Sequence, residues 1–288
     1  MANSFFESSI TNLEDVLSFY EIKNRLDLDD SKNKSNAFKK IIRKIYSSPS
    51  GSFENYWERY RPLDSLLGSK LTEFNNNLTI ITTNYDLNIE SACYILGRPC
   101  NPTIPLDRLT ALSLKVGELY STTGIPLLKL HGSVNWVEGS GGKIMIDDNL
   151  VKSAFSSNQI PIPRACLNDF NPGDYPVIIP PSFLKPDLID PMKIIWKEAA
   201  KALSESHYIA FIGYSFPQSD KEMKYFLATA LTFNSNLRKI FIVDPNSENI
   251  AKTLKMPDSR MGSIFRELLQ PWPADGGRSW IKTRLPIS

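Results

Sequence analysis

Residues 208–245 read YIAFIGYSFPQSDKEMKYFLATALTFNSNLRKIFIVDP. YIAFI and KIFIV are short apolar runs, and each gives way to polar residues and a turn. KEMKYFLATAL between them has helical apolar spacing, and SENIAKTLKM after the second run continues as another helix. Strand, helix, strand, helix implies parallel strands joined by crossover helices. The expected fold class is therefore α/β, a Rossmann-like doubly wound parallel sheet with a helical N-terminal segment. By its pattern, YIAFIGYS is expected to be fully buried.

Reading upstream, PMKIIWKEAAKALSE (191–205) predicts an amphipathic helix. Met192, Ile195, Trp196, Ala199 and Leu203 point inward, and Pro191 suits the first turn. VIIPP from Val177, PLLKLHG (126–132) and LTIITTN (78–84) are further strand candidates. Asp86 is placed to cap a helix, LNIESACYIL, that ends near Gly97. Residues 138–175 are rich in Gly, Pro and Asn and read as long loops or an insertion with little regular structure.

The first ~50 residues read as helical, with LDLDDSKNKSN as a polar loop between two helices. In the second helix Phe38, Ile41, Ile42, Ile45 and Tyr46 mark an apolar face. Lys39, Lys40, Arg43 and Lys44 mark a basic one, read as a solvated surface before a phosphate contact. Phe53, Tyr56, Trp57 and Tyr60 read as core. After Asn249, ELLQPWPADGGRSW reads as a closing helix plus a loop. The expected organisation is one domain over 1–288, with a helical portion at about 10–75, a core at about 76–250 and a tail at 251–288.

Composition narrows the function. The 288 residues carry 33 basic and 31 acidic side chains, a net charge of +2, which gives no bulk reason to expect a nucleic acid or a membrane partner. No apolar run approaches the roughly 20 residues that span a bilayer. The N-terminus has no secretory pattern. Cys93, Cys100 and Cys166 cannot form a four-cysteine zinc site and do not suggest a disulfide framework, so a cytoplasmic setting is expected. With only His131 and His207, no metal site is expected. His207 reads as a capping or surface residue.

Ligands of open parallel sheets bind beyond the carboxyl ends of strands. Four such ends carry suitable residues: Thr82-Thr83-Asn84-Tyr85-Asp86, His131-Gly132-Ser133, Gly213-Tyr214-Ser215 and Asp244-Pro245-Asn246. If the strands are parallel neighbours, all four converge on one crevice. Gly213 permits close backbone approach, and Ser215 with nearby amides can hold a phosphate, although an ordinary strand-to-helix turn uses the same residues. Asp244 and Asn246 suit ribose hydroxyls, or a helix cap. Asn84 can orient a water or a hydroxyl without titrating, and His131 can accept a proton near neutral pH or serve structurally.

TTNYDLNIE, KLHGSVNW, IIPP, FIGYSFPQSD and IVDPN, in this order and spacing, resemble the sirtuin-like domain family. They resemble in particular its bacterial branch in NAD-consuming antiphage defence proteins. The likeness runs from Asn12 to Asn249. It implies a Rossmann-like NAD+ site in which His131 and Asn84 are catalytic. Asp86 would support the nicotinamide-ribose pocket and Thr83 would bind the cofactor beside it, with Gly213 and Ser215 in the phosphate turn and Asp244 and Asn246 at the adenine ribose. The implied activity is NAD+ hydrolysis at the nicotinamide–ribose bond. The alternatives are a module that binds NAD+, ADP-ribose or a partner without turnover, and an NAD-dependent protein deacylase. Defence proteins of this branch also imply a sensor protein or a homo-oligomer as partner.

Two departures stand out. The deacylase branch usually carries a four-cysteine zinc module, which this chain lacks. The family also opens with a strand and a GAGxS-type glycine loop. Here Gly51 is the first glycine, and no apolar strand precedes it. The expectations are a late start, a truncated chain or a decayed domain, with an unpaired sheet edge where the first strand is missing.

Overall fold

The computed structural model describes residues 13–26, 31–46, 78–95, 98–104, 109–112, 121, 123–138, 142–146, 175–180, 190–217, 220–255 and 260–271. The aromatic segment 53–60 and Gly97 lie outside these residues. The chain divides into two compact units, Met1–Trp196 and Lys197–Ser288.

In the first unit, helices α1 (Leu13–Arg25) and α2 (Ser31–Tyr46) pack against each other. Leu17 and Ile42 are buried, and the Tyr20 and Phe38 rings stack at 5.4 Å. Glu21 pairs with Lys39 at 2.7 Å and also accepts the Ser35 hydroxyl. That contact explains one difference from the sequence reading. SKNKSN is helical rather than looped, because packing on α1 stabilises a weak helix former. The basic face is solvated in part, with Lys40 and Lys44 exposed. Lys39 is paired, Lys40 lies 4.7 Å from the Tyr175 ring centroid, and Arg43 is buried. Ile41, Ile45 and Tyr46 stay exposed despite their apolar spacing.

Strand β1 (Ile80–Thr82) leads through a short loop to helix α3 (Asn88–Ile95). Strands β2 (Cys100–Asn101), β3 (Leu109–Leu112) and β4 (Ile125–Lys129) follow. β1, β4 and β2 form a parallel sheet in that order, with β4 central and its Leu127, Leu128 and Lys129 buried. β1 is shorter than LTIITTN suggests. Thr82 Oγ1 accepts the Asn84 amide at 3.1 Å, a local bond that bends the chain out of the sheet.

PLLKLHG does not continue as one strand. The chain turns at Leu130–His131 and re-enters as β5 (Gly132–Glu138). Gly132 makes the turn with φ +80°, and a Cβ there would stand 1.9 Å from the Val177 carbonyl oxygen. β5 pairs antiparallel with β6 (Ile144–Ile146) and with β7 (Pro176–Ile178). β3 adds parallel to β6, giving a mixed four-stranded sheet in the order β3-β6-β5-β7. Residues 138–175 therefore contribute a strand where loops were expected.

Helix α4 (Asp190–Glu205) closes the first unit and opens the second, with Met192, Ile195, Ala199 and Leu203 buried as its spacing predicts. The second unit holds β8 (Tyr208–Ile212), α5 (Lys221–Thr232), β9 (Lys239–Val243), α6 (Ser247–Lys255), α7 (Arg260–Leu268) and β10 (Leu269–Pro271). Its sheet is wholly parallel, in the order β10-β9-β8. The Rossmann-like α/β reading therefore holds. β9 is the buried central strand. β8 departs from its apolar pattern. It is an end strand among the described residues, with Ala210 exposed and Ile212 55% exposed. LLQP, expected in a helix and loop, supplies β10.

Candidate functional site

β1 and β4 are parallel neighbours in the register Thr82↔Lys129. The residues that follow them, Thr83–Asp86 and Leu130–His131, therefore leave at the same carboxyl edge. The backbone laces the two segments together. The Leu130 amide donates to the Thr82 carbonyl at 2.9 Å, and the Val134 amide to the Tyr85 carbonyl at 3.1 Å. Asp86 Oδ1 accepts the Asn88 amide at 3.0 Å, which is the capping role its position predicts.

The two side chains expected to be catalytic sit in different surroundings. Asn84 is exposed. His131 is 3% exposed, with its ring between those of Tyr85 and Trp196 at centroid distances of 6.2 and 6.4 Å. Trp196 Nε1 donates to the Leu130 carbonyl at 2.9 Å and so fixes one wall. Tyr85 fixes the other, with its hydroxyl 3.5 Å from the Ile179 carbonyl oxygen and its ring edge-on to Tyr46. Ser133 Oγ donates to Asn135 Oδ1 at 2.7 Å, beside the Tyr85 carbonyl.

Beneath this loop lies a buried charged pair. Lys129 Nζ is 2.8 Å from Glu90 Oε1, and both side chains are 1% exposed. The same ammonium donates to the Asp86 carbonyl oxygen. Burial raises the Glu90 carboxyl above its ordinary range, although the Lys129 ammonium pulls the other way. Cys93 and Cys100 are buried free thiols. A hydrogen bond with Cys93, then burial, pushes the Cys100 thiol well up.

The second unit builds a matching edge. β8 and β9 pair in the register Ile212↔Val243, which brings Gly213 and Ser215 beside Asp244 and Asn246. The Gly213 amide donates to the Val243 carbonyl at 2.9 Å. Gly213 has φ +64°, and among the described residues nothing lies within 4 Å of the position a Cβ would take. Ser215 is exposed beside it.

Phe216 has φ +52°, a region that bulky residues avoid. It is buried, with its ring edge-on to Phe211 at 4.8 Å and to Tyr214 at 4.7 Å. The Tyr214 hydroxyl donates to Asp220 Oδ2 at 2.9 Å, and Asp220 Oδ1 accepts the Met223 amide at 3.2 Å, capping α5. Burial, then the Asp220 carboxylate, pushes the Tyr214 hydroxyl up and keeps it a donor. A carboxylate thus already occupies the N-terminus of α5. An anion at Gly213 and Ser215 is left to the loop, not to that helix.

Asp244 and Asn246 both do structural work at the start of α6. Asp244 Oδ1 accepts the Asn246 amide at 2.7 Å, and Asn246 Oδ1 accepts from Asn249 Nδ2 at 2.6 Å. Asn246 nevertheless remains exposed. The fold thus gathers the eight candidate residues as two sets of four. Thr83, Asn84, Asp86 and His131 share one sheet edge, and Gly213, Ser215, Asp244 and Asn246 share another.

Both sets lie within residues 78–258, which match the SIR2-like domain family. The chain belongs to the SIR2-like domain family. SIR2-like domains bind NAD+, so the function of this one is NAD-related. No curated protein matches the chain. Among the described residues of this SIR2-like domain, no group of three or more His, Cys, Asp or Glu side chains could hold a metal ion. No helix among them is long and apolar enough to cross a membrane.

Sequence reasoning did not single out the contacts that Lys129, Glu90 and Asp220 make beside the candidate residues. A lysine inside the apolar run PLLKLHG was the available signal, because a charge there must find a buried partner. Asp220, immediately before the KEMKYFLATAL helix, carried the N-cap signature.

Proposed function

We propose that this SIR2-like domain binds NAD+ and hydrolyses it at the nicotinamide–ribose bond. The observation that carries the reading is the register of β1 and β4, which sets Asn84 and His131 at one sheet edge inside the family's matched span. Cleavage of that bond passes through an oxocarbenium-like transition state, as in glycoside hydrolysis. Asn84 positions the ribose or the attacking water through its amide, and His131 accepts a proton from a ribose hydroxyl or that water. Thr83 and Asp86 line the nicotinamide ribose. Roles for Gly213 and Ser215 on phosphate oxygens, and for Asp244 and Asn246 on the adenine ribose, are supported by the likeness of FIGYSFPQSD and IVDPN to the family. At 3% exposure the His131 ring is shielded from water, so this chemistry requires local opening around Tyr85 and Trp196 on substrate binding.

The test is to incubate the purified protein with NAD+ and quantify nicotinamide and ADP-ribose. His131→Ala and Asn84→Ala are each expected to lower release about a hundredfold or more with the fold retained. Wild-type rates in either variant overturn the catalytic assignment. Burial of His131 also supports a second reading, a module that binds NAD+ or ADP-ribose without turnover. Ligand-dependent thermal stabilisation with no nicotinamide release would establish that reading. An acylated peptide added to the same assay separates deacylation, which yields O-acyl-ADP-ribose. Antiphage defence, with a sensor protein or a second copy as trigger, is the biological role that fits an NAD+ hydrolase in the cytoplasm. Loss of phage protection in cells carrying His131→Ala is its expected signature.

A further inference from the structure

We infer that Lys129 and Glu90 are positioning residues that hold the Asn84–Asp86 loop in register with the His131 turn. Lys129 is the last residue of β4, two before His131. Its ammonium reaches Glu90 on α3 at 2.8 Å and the Asp86 carbonyl oxygen in the loop between β1 and α3. One side chain therefore joins the strand that leads into the His131 turn, the loop that carries Asn84, and the helix behind that loop. Both charged groups are 1% exposed, and Glu90 Oε2 is buried without a hydrogen-bond partner among the described residues.

Stability does not account for such a pair. Two desolvated charges in an otherwise apolar layer contribute little net stability, and apolar residues of similar volume commonly serve as well or better. Leu127, Leu128 and Leu130 show that this strand end accepts aliphatic side chains. An aliphatic residue at position 129 would fill space but could not select one height for the Asp86 carbonyl. The ammonium does, because it must satisfy both acceptors at once. The backbone bonds from Leu130 to Thr82 and from Val134 to Tyr85 tie the two sides of the His131 turn to the same loop. The pair works as a register device for the two strand ends, and its loss misplaces Asn84 relative to His131.

The kinetic arm of the test rests on the NAD+ hydrolysis reading, and the exchange arm does not. Lys129→Met/Glu90→Leu removes both charges at similar volume. Thermal denaturation is expected to show a folded protein with its midpoint unchanged or raised. Amide hydrogen exchange at Leu130 and Val134 is expected to speed up about tenfold or more, while the Gly213 amide, bonded to Val243 in the other unit, is unchanged. If the wild type releases nicotinamide, kcat is expected to fall about tenfold or more with KM within about threefold, because misplaced groups cost turnover more than binding. Unchanged exchange at Leu130 and Val134 overturns the inference whether or not the protein is an enzyme. Wild-type kcat in the folded double variant overturns it as well. If wild type shows no release, the hydrolysis reading fails and exchange alone decides. If the double variant does not fold, Lys129→Met alone is read by the same exchange criterion, since it removes the ammonium that reaches both Glu90 and Asp86 and leaves a carboxyl that can take a proton.

Discussion

The two sheet edges that carry the candidate residues are held in opposite ways. In the first unit the Thr83–Asp86 loop depends on residues far along the chain. Lys129 reaches back to Asp86 and Glu90, Val134 to Tyr85, and Trp196 to the turn at Leu130. In the second unit the side-chain ties at the corresponding turns are local, alongside one long-range backbone bond from the Gly213 amide to the Val243 carbonyl. Tyr214 bonds Asp220 six residues on, Asp244 bonds the Asn246 amide, and Asn246 bonds Asn249. Long-range ties make the first edge as cooperative as the core beneath it. Short-range ties let the second edge form with its own helix starts.

That contrast can be broken most severely at a glycine. Gly132→Ala is expected to destabilise by about 3 kcal/mol or more, since it combines left-handed strain with a clash against the Val177 carbonyl. Gly213→Ala, at a similar φ but facing open space, is expected to cost only about 1 kcal/mol. Denaturant titration of the two variants measures the difference, and equal losses would mean that both edges are equally embedded. The same pair separates stability from binding, because Gly213→Ala should weaken NAD+ affinity more than its small stability loss suggests.

A milder comparison lies within the second edge. Asp220→Ala removes a helix cap and leaves the Tyr214 hydroxyl without its carboxylate, for an expected loss of about 1–2 kcal/mol. Asp244→Ala removes one solvent-accessible turn bond and should cost less than about 1 kcal/mol. Thermal midpoints of the two variants check the order. A larger loss for Asp244→Ala would show that the second edge is not held as its hydrogen bonds imply.

A dependence on pH sharpens the account of the first edge. Glu90 holds its proton more tightly folded than unfolded, because burial raises its carboxyl above the ordinary value of 4.5. As pH rises through that value the unfolded chain ionises first, so stability falls until the raised folded value is passed and then levels off. The slope is at most about 1.4 kcal/mol per pH unit. Glu90→Gln should remove this component from a series of denaturation curves, leaving the contributions of other carboxylates in place.

Much of the second unit was legible from short-range pattern. YIAFI and KIFIV are strands, KEMKYFLATAL and SENIAKTLK are helices, and Asp244 turns the chain as its type suggests. The first unit was less legible because its decisive contacts span long stretches of chain. Nothing local says that PLLKLHG bends at Leu130, since the reason is the approach of the Val177 carbonyl to Gly132. Ile144–Ile146 pairs with nearby β5 and with distant β3, and it hid in a Gly-, Pro- and Asn-rich stretch that read as loop. The apolar run of β8 suggested burial on both faces, yet its place at the end of the sheet leaves Ile212 exposed. Run composition reports preference for a strand, not the number of neighbours it finds.

For the candidate site the division is similar. Side-chain chemistry and position after an apolar run are local properties, and they suffice to nominate Asn84, His131, Gly213, Ser215, Asp244 and Asn246. Strand order, register and burial are not local. They set Asn84 in solvent and His131 between two aromatic rings, although both follow neighbouring strands at one edge. They also turned Lys129 from an oddity in an apolar run into the tie between three elements. A buried charge has meaning only through its partner, and the fold chose Glu90 from 39 residues away.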